Sequence, residues 1–136
     1  MTQENKELLL KDICARLPYG VKMNHIADEE HHPKTLIGIA KDMITLSSSA
    51  GYSCVDVEHY KPYLFPLSSM TEEQKREYNK WKHYVPTYHY EYGDIIEEVE
   101  LFDSPESFEY LIENHFDYRG LIEKGLAIDA TGLNIY

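Results

Sequence analysis

The chain has 136 residues, of which 43% are hydrophobic and 27% are charged. These values are typical of one folded domain, which excludes wholesale disorder and the need for a disulfide or a metal to stabilise the core. The formal net charge of -11 repels phosphate groups and argues against direct binding to nucleic acid.

The chain lacks the segments that place proteins in or across membranes. The longest apolar runs, such as Leu8–Leu10, are far shorter than the roughly 20 residues of a spanning helix. The N-terminus lacks the basic start, apolar middle and cleavage site of an export signal. Cys14 and Cys54 have no CxxC spacing, and we expect both to be buried, reduced thiols. These features favour a soluble cytoplasmic protein without membrane partners.

The first half of the chain predicts one helix and then several short strands. Thr2 can cap a helix that extends to Cys14, and Pro18 and Gly20 end it. Apolar residues then recur in four segments separated by turn-rich stretches: Val21 to Met23, Leu36 to Ala40, Ile44 to Leu46 and Tyr52 to Val57. This spacing predicts a four-stranded antiparallel meander, which is compatible with a small SH3-like barrel.

The second half predicts a connector, a helix and a hairpin. The two prolines of Lys61–Pro66 favour an extended connector over a central strand. Thr71 and Gln74 have the spacing of a capping box and begin a helix that runs to about Lys82. Alternating residues beyond Pro86 lead into a turn at Gly93–Asp94 and predict a hairpin.

Helices are predicted again near the C-terminus. Ser104 and Pro105 begin a helix whose apolar face extends to His115, and a short helical turn follows at 118–124. We expect His115 to be a packed core histidine, and the tail at 131–136 to be lightly held. Without an internal linker, the chain is predicted to be a single α+β domain over residues 1–136.

Three blocks carry a family resemblance: DICARLPYGV at 12–21, KPYLFPLSSMTEEQ at 61–74 and NHFDYRGLIEKGLA at 114–127. They resemble a family of uncharacterised small proteins from gut Bacteroidales and their phages and prophages. The resemblance implies a phage or mobile-element context, and it brings no catalytic or binding residues to this chain.

The acidic residues concentrate in the second half. Residues 71–136 contain 15 acids and 6 lysines or arginines, against 9 and 7 in residues 1–70. The stretch from Glu91 to Asp117 holds ten acids without a lysine or arginine. Such a field could bind a basic protein surface, as DNA-mimic inhibitors do, or it could be a solvated outer face.

A tyrosine stripe adjoins this acidic stretch. Tyr88, Tyr90 and Tyr92 alternate with polar residues, which places three rings on one face of a strand. Such rings either form a binding hot spot or pack on a helix. The predicted partner-binding residues combine both features: Tyr88, Tyr90, Tyr92, Glu91, Asp94, Glu97, Glu98, Glu100, Asp103 and Glu106.

Metal-ligating residue types cluster in one loop: His25, Asp28, Glu29, Glu30, His31 and His32. Their spacing fits no known metal signature, and a polar turn between two strands explains the same residues and is the favoured interpretation. The leading hypothesis is therefore a non-enzymatic protein-interaction module without cofactor, acting for instance as an inhibitor of a host factor or a defence system. The alternatives are a small metal-dependent hydrolase built on this loop and a structural homo-oligomer.

Overall fold

The computed structural model describes residues 1–136 and has an α+β fold. It divides into two compact units, one formed by Met1–Ser69 with Ile112–Tyr136 and the other by Met70–Leu111. The prediction of a single domain stays a prediction. No helix is long and apolar enough to cross a membrane.

The first unit begins with helix α1, Gln3–Arg16. The Thr2 side chain accepts a hydrogen bond from the Asn5 N–H at 3.1 Å, which confirms it as the cap. A 3₁₀ turn at Leu17–Tyr19 ends the helix, and Gly20 follows with a φ of 67°, where glycine is favoured.

A seven-stranded mixed sheet forms the rest of the first unit. Strands β1 to β5 follow each other in the chain: Lys22–His25, Lys34–Ala40, Met43–Ser48, Gly51–Asp56 and Tyr60–Pro66. The short strands β8 and β9 are Phe116–Asp117 and Ile128–Asp129. The order is β4-β3-β2-β1-β5-β8, and β9 also pairs with β5.

The predicted meander is thus part of a larger sheet. Strands β1 to β4 pair antiparallel with their sequence neighbours, and β8 and β9 add parallel pairs to β5. The SH3-like barrel stays a prediction.

The expected connector at Lys61–Pro66 is a central strand instead, so this prediction was wrong. Pro62 is the last residue that pairs with β1, and Tyr63 begins the pairing with β9 on the other side. Pro66 is the last residue of β5. Each missing N–H therefore lies where a ladder ends, and neither proline breaks one.

The core of the first unit lies between α1 and the sheet. Its fully buried side chains include Leu9 and Ile13 of α1 and Met23, Leu46 and Leu64 of the sheet. Cys14 and Cys54 are free and exposed, so the prediction of buried thiols was wrong.

The second unit contains helix α2, Glu72–Lys80, and a hairpin formed by strands β6, His83–Glu91, and β7, Asp94–Phe102. The Thr71–Gln74 capping box is confirmed. Helix α3, Pro105–Glu113, follows the hairpin, and Ser104 caps it by accepting from the Ser107 N–H at 3.0 Å.

The C-terminal segment differs from its prediction in three ways. His115 lies beyond the end of α3 with a φ of 64°, rather than on the helix face. Residues 118–125 form turns instead of a helix. The tail is tied down, because the Tyr136 hydroxyl donates to the Tyr63 carbonyl at 2.7 Å and accepts from the Lys22 N–H at 2.9 Å.

Candidate functional site

The β6–β7 ribbon is the most exposed structure in the chain. Its two nine-residue strands pair in register from His83–Phe102 to Glu91–Asp94, without a bulge. All of its residues are exposed except Ile96, which is partly buried. Tyr92 and Gly93 form the two-residue turn, with φ angles of 52° and 84°. Positive φ at both turn positions is typical of the type I′ turn that matches the twist of a hairpin.

The register sorts the ribbon's side chains into two faces, because directly paired residues point to the same side of a sheet. One face, here named the apolar face, carries seven apolar or aromatic residues and one acid: Tyr84, Pro86, Tyr88, Tyr90, Ile95, Glu97, Val99 and Leu101. The other, here named the acidic face, carries four acids among its ten residues: Glu91, Asp94, Glu98 and Glu100.

The apolar face is open to solvent. Tyr90 is 79% exposed and Ile95, its cross-strand partner, 64%. Tyr92 is 97% exposed, but it lies in the turn and does not continue the stripe of Tyr88 and Tyr90. The predicted stripe of Tyr88, Tyr90 and Tyr92 is thus corrected: the tyrosines on this face of the strand are Tyr84, Tyr88 and Tyr90, and Tyr84 was not predicted. The period-two spacing could have revealed it once the strand was known to begin at His83.

Histidine is the only basic residue type on the acidic face. The ring of His89 lies 3.6 Å from a Glu91 carboxylate oxygen and 3.9 Å from one of Glu98. Neither strand contains a lysine or arginine. A surface with several carboxylates and no fixed cation attracts positive charge over a distance of about 10 Å at ordinary salt.

The remaining predicted binding residues lie after the hairpin. The Asp103 carboxylate accepts hydrogen bonds from the Tyr78 hydroxyl and from the Ser107 hydroxyl, the latter at 3.0 Å. Burial, followed by the bond to Asp103, raises the pKa of Tyr78. Asp103 is thus engaged in holding the base of the ribbon, whereas Glu106 is exposed in the first turn of α3.

Asp117, the last acid of the acidic stretch, does not belong to an exposed acidic surface. Asp117 is buried, and its carboxylate accepts from the N–H groups of Leu121 and Ile122, each at 2.9 Å. It lines a cleft of about 380 Å³ together with Pro66, Tyr118 and Glu123. The carboxylate in this cleft therefore shapes the turn after β8.

The loop with the candidate metal ligands directs its histidines to different partners. His25 accepts from the Ala27 N–H at 3.0 Å, and its ring contacts His59 and Tyr60. His31 shares a hydrogen bond of 2.8 Å with the Tyr63 hydroxyl. No group of three or more His, Cys, Asp or Glu side chains in the structure is placed to hold a metal ion.

Asp28 organises this loop. Its carboxylate accepts from the Glu30 N–H at 3.0 Å and from the His32 N–H at 2.9 Å. The bond from the His32 backbone is the largest cause of a lowered Asp28 pKa. Glu29 and Glu30 are exposed. These contacts are those of a polar turn between β1 and β2.

His115 is packed, as predicted from the sequence. Its ring stacks on Tyr136 with centroids 3.7 Å apart. Burial, and then the nearby Arg16 cation, lower the His115 pKa from 6.5 to about 4. The ring is therefore neutral at pH 7.

Comparison with known proteins adds no assignment to these observations. No family model, no curated protein and no solved structure matches this chain.

Proposed function

We propose that the chain is a non-enzymatic protein-interaction module that binds its partner through the β6–β7 ribbon. The observation that carries the proposal is the division of an exposed ribbon into an apolar face and an acidic face. The ten residues predicted from the sequence as partner-binding fall on or next to this ribbon.

The low stability expected of an isolated two-stranded ribbon supports the proposal that it binds a partner. A two-stranded hairpin alone in water is marginally stable, and additional stability requires a third strand or a packed face. Here both faces are exposed along the strands. Exposed rings such as Tyr88 and Tyr90 supply large apolar contact areas at low entropic cost, which is why tyrosine is common at binding hot spots.

The charge of the ribbon supports a basic protein as the partner. Complementary charge accelerates encounter and discriminates against wrong partners. The carboxylates repel phosphates, so a nucleic-acid partner is disfavoured. A second copy of this chain would bring like charges together if the acidic faces met.

The perturbed ionisable groups of the first unit support a non-enzymatic role. Burial raises the pKa of Tyr63 to about 12, and the Tyr63 hydroxyl is bonded to His31. Tyr136, whose pKa is also raised by burial, bonds to backbone groups. These groups are occupied in packing and in holding the tail.

The proposed origin is a phage or another mobile element, and the proposed role is inhibition of a host factor or a defence system. Its support is the resemblance of the three sequence blocks. An acidic, exposed docking element suits an inhibitor, because binding a basic functional surface blocks that surface without chemistry.

Charge reversal tests the proposed function. A partner is first recovered by pull-down from the producing cells and identified by mass spectrometry. We expect the double variant Glu98→Lys/Glu100→Lys to bind it at least about tenfold more weakly at low salt, since the two lysines cancel the two acids that remain on the acidic face and remove its attraction for a basic partner. Affinity is measured by calorimetry.

The matched control carries the same charge change elsewhere. Glu4→Lys/Glu7→Lys places two lysines on exposed positions of α1 and alters the net charge equally. We expect its affinity to stay close to that of the original chain. Equal binding by both double variants, or binding that persists at about 0.5 M salt, would refute the ribbon as an electrostatic docking site.

A further inference from the structure

The two long edges of the β6–β7 ribbon differ in what they offer to another strand. The ribbon is a separate two-stranded sheet, so each strand has an unpaired outer edge. In an antiparallel pair, residues alternate between pairs that exchange hydrogen bonds across the ladder and pairs whose N–H and C=O groups point outward.

Pro86 fixes which residues point outward. Proline has no N–H and is accommodated in a ladder where that group would face away from the partner strand. The pair Pro86–Val99 is thus a non-hydrogen-bonded pair. The adjacent pair Thr87–Glu98 agrees, since the Glu98 carbonyl faces β6 and accepts from the Thr87 hydroxyl at 3.2 Å.

The outer edge of β7 therefore presents an uninterrupted row of backbone N–H donors, whereas the row on the outer edge of β6 is interrupted. On β7 the outward backbone groups belong to alternate residues: Ile95, Glu97, Val99 and Leu101. All of them have an N–H to donate. On β6 the corresponding outward position at the centre is Pro86, which lacks the donor. Strand β7 contains no proline or bulge, and its edge is protected only by acidic side chains, which oppose a like-charged strand and admit a basic one.

The side chains beside this edge define the strand that fits it. An added strand places each residue about 5 Å from its cross-strand neighbour, with alternate residues on opposite faces. On the acidic face its side chains would lie next to three acids and two apolar residues of β7: Asp94, Glu98, Glu100, Ile96 and Phe102. On the apolar face they would lie next to three apolar residues and one acid: Ile95, Val99, Leu101 and Glu97. Alternating basic and apolar side chains satisfy both faces.

We propose that the outer edge of β7 is a strand-addition site, at which an extended segment of a partner protein with alternating basic and apolar residues becomes the third strand of the ribbon. The inference rests on the proposed function and specifies its partner. A second copy of β7 fits poorly, because its own three acids would crowd the same face, and like charges across a pair are destabilising. The third strand would also supply the pairing that a lone hairpin needs for stability.

The probe for this site is an end-blocked nine-residue peptide that alternates lysine and valine, the length of β7. Hydrogen exchange of the full-length chain is followed by NMR at each ribbon amide. We expect the peptide to slow exchange at the four outward amides of β7, those of Ile95, Glu97, Val99 and Leu101, and to leave the amides of β4 unchanged. A peptide of the same composition, with its lysines and valines in two blocks, should bind at least about tenfold more weakly, because it cannot satisfy both faces.

A proline at an outward position tests the backbone contact itself. Glu97→Pro removes one outward donor, and Glu97→Gln is the matched control that removes only the charge. We expect Glu97→Pro to weaken peptide binding about tenfold relative to Glu97→Gln. If the proline unfolds the ribbon, a peptide methylated on alternate backbone nitrogens gives the same test with the unaltered chain, and its binding should be lost.

The outcomes separate the two proposals. Unprotected outward amides, or equal binding of the alternating and block peptides, would overturn strand addition. If strand addition fails but Glu98→Lys/Glu100→Lys still abolishes partner binding, the proposed docking through the acidic face is retained without strand addition. Unchanged partner binding by that variant would instead overturn the proposed function.

Discussion

Arg16 is completely buried and is held by charge and hydrogen bonds at the end of α1. Its guanidinium donates to the Asp12 carboxylate through Nε at 2.8 Å and to the Phe116 carbonyl at 2.6 Å. Arg119 Nε lies 3.3 Å from the other Asp12 oxygen. Asp12 therefore compensates two cations, and one of them has no access to solvent.

Replacing Asp12 should reveal the free-energy cost of burying the Arg16 cation without its ion-pair partner. We expect Asp12→Ala to lower the free energy of unfolding by about 3–5 kcal/mol, because Arg16 would be left as an unpaired buried charge. Urea denaturation measures the loss. Glu7→Ala, at an exposed position on the same helix, should cost less than about 0.5 kcal/mol. A cost for Asp12→Ala as small as that of the control would contradict this description of the pair.

His115 should make stability depend on pH. Its pKa in the folded chain is about 4, below the ordinary 6.5, so the unfolded chain takes up the proton first as pH falls. Stability from this group is complete above pH 6.5 and decreases between pH 6.5 and about 4. His115→Asn, which tolerates the positive φ, should show a smaller decrease in unfolding free energy from pH 7 to 5. The unfolding free energy of the original chain and of His115→Asn is measured by urea denaturation at each pH. The same dependence on pH in both would show that His115 does not cause the decrease.

The elements differ in how well the sequence predicted them. Helices α1 and α2 were predicted because Thr2 and Thr71 are strong local caps, and the hairpin because its alternation and turn residues are local too. Strand β5 was missed, because its prolines are acceptable only where the neighbouring ladders end, and those ends depend on where β1 and β8 pair with it. The segment after β8 was mistaken for a helix because the N–H groups of Leu121 and Ile122 donate to the Asp117 side chain, a contact that residue spacing does not reveal.

The candidate site shows the same division between local and long-range information. The sequence located the tyrosines and acids, since both are visible as residue types at fixed spacing. It could not assign them to faces without the register, and Glu97 proves to lie on the apolar face. Asp103 accepts a hydrogen bond from Tyr78, and Asp117 accepts from the turn after β8. Residue spacing does not predict these contacts, which remove both acids from the docking surface.

Across the whole chain, the three sequence blocks 12–21, 61–74 and 114–127 lie largely in the first unit, and contacts there join them. Arg16 of the first block bonds to Phe116 of the third, and β5 of the second block pairs with β8 of the third. The blocks thus have a structural role in the sheet and its buried ion pair. The proposed docking residues lie between the second and third blocks.

The most direct test of the ribbon as docking element is site-specific photo-crosslinking in the producing cells. A benzophenone amino acid replaces Tyr90 on the ribbon or, as a matched control, Tyr52 on β4; the two tyrosines are 79% and 78% exposed. We predict that the Tyr90 position yields one dominant crosslinked protein, joined through a basic segment, and that the Tyr52 position does not. The same crosslinked protein in equal yield from both positions, or from Tyr52 alone, would contradict the assignment of partner binding to the ribbon.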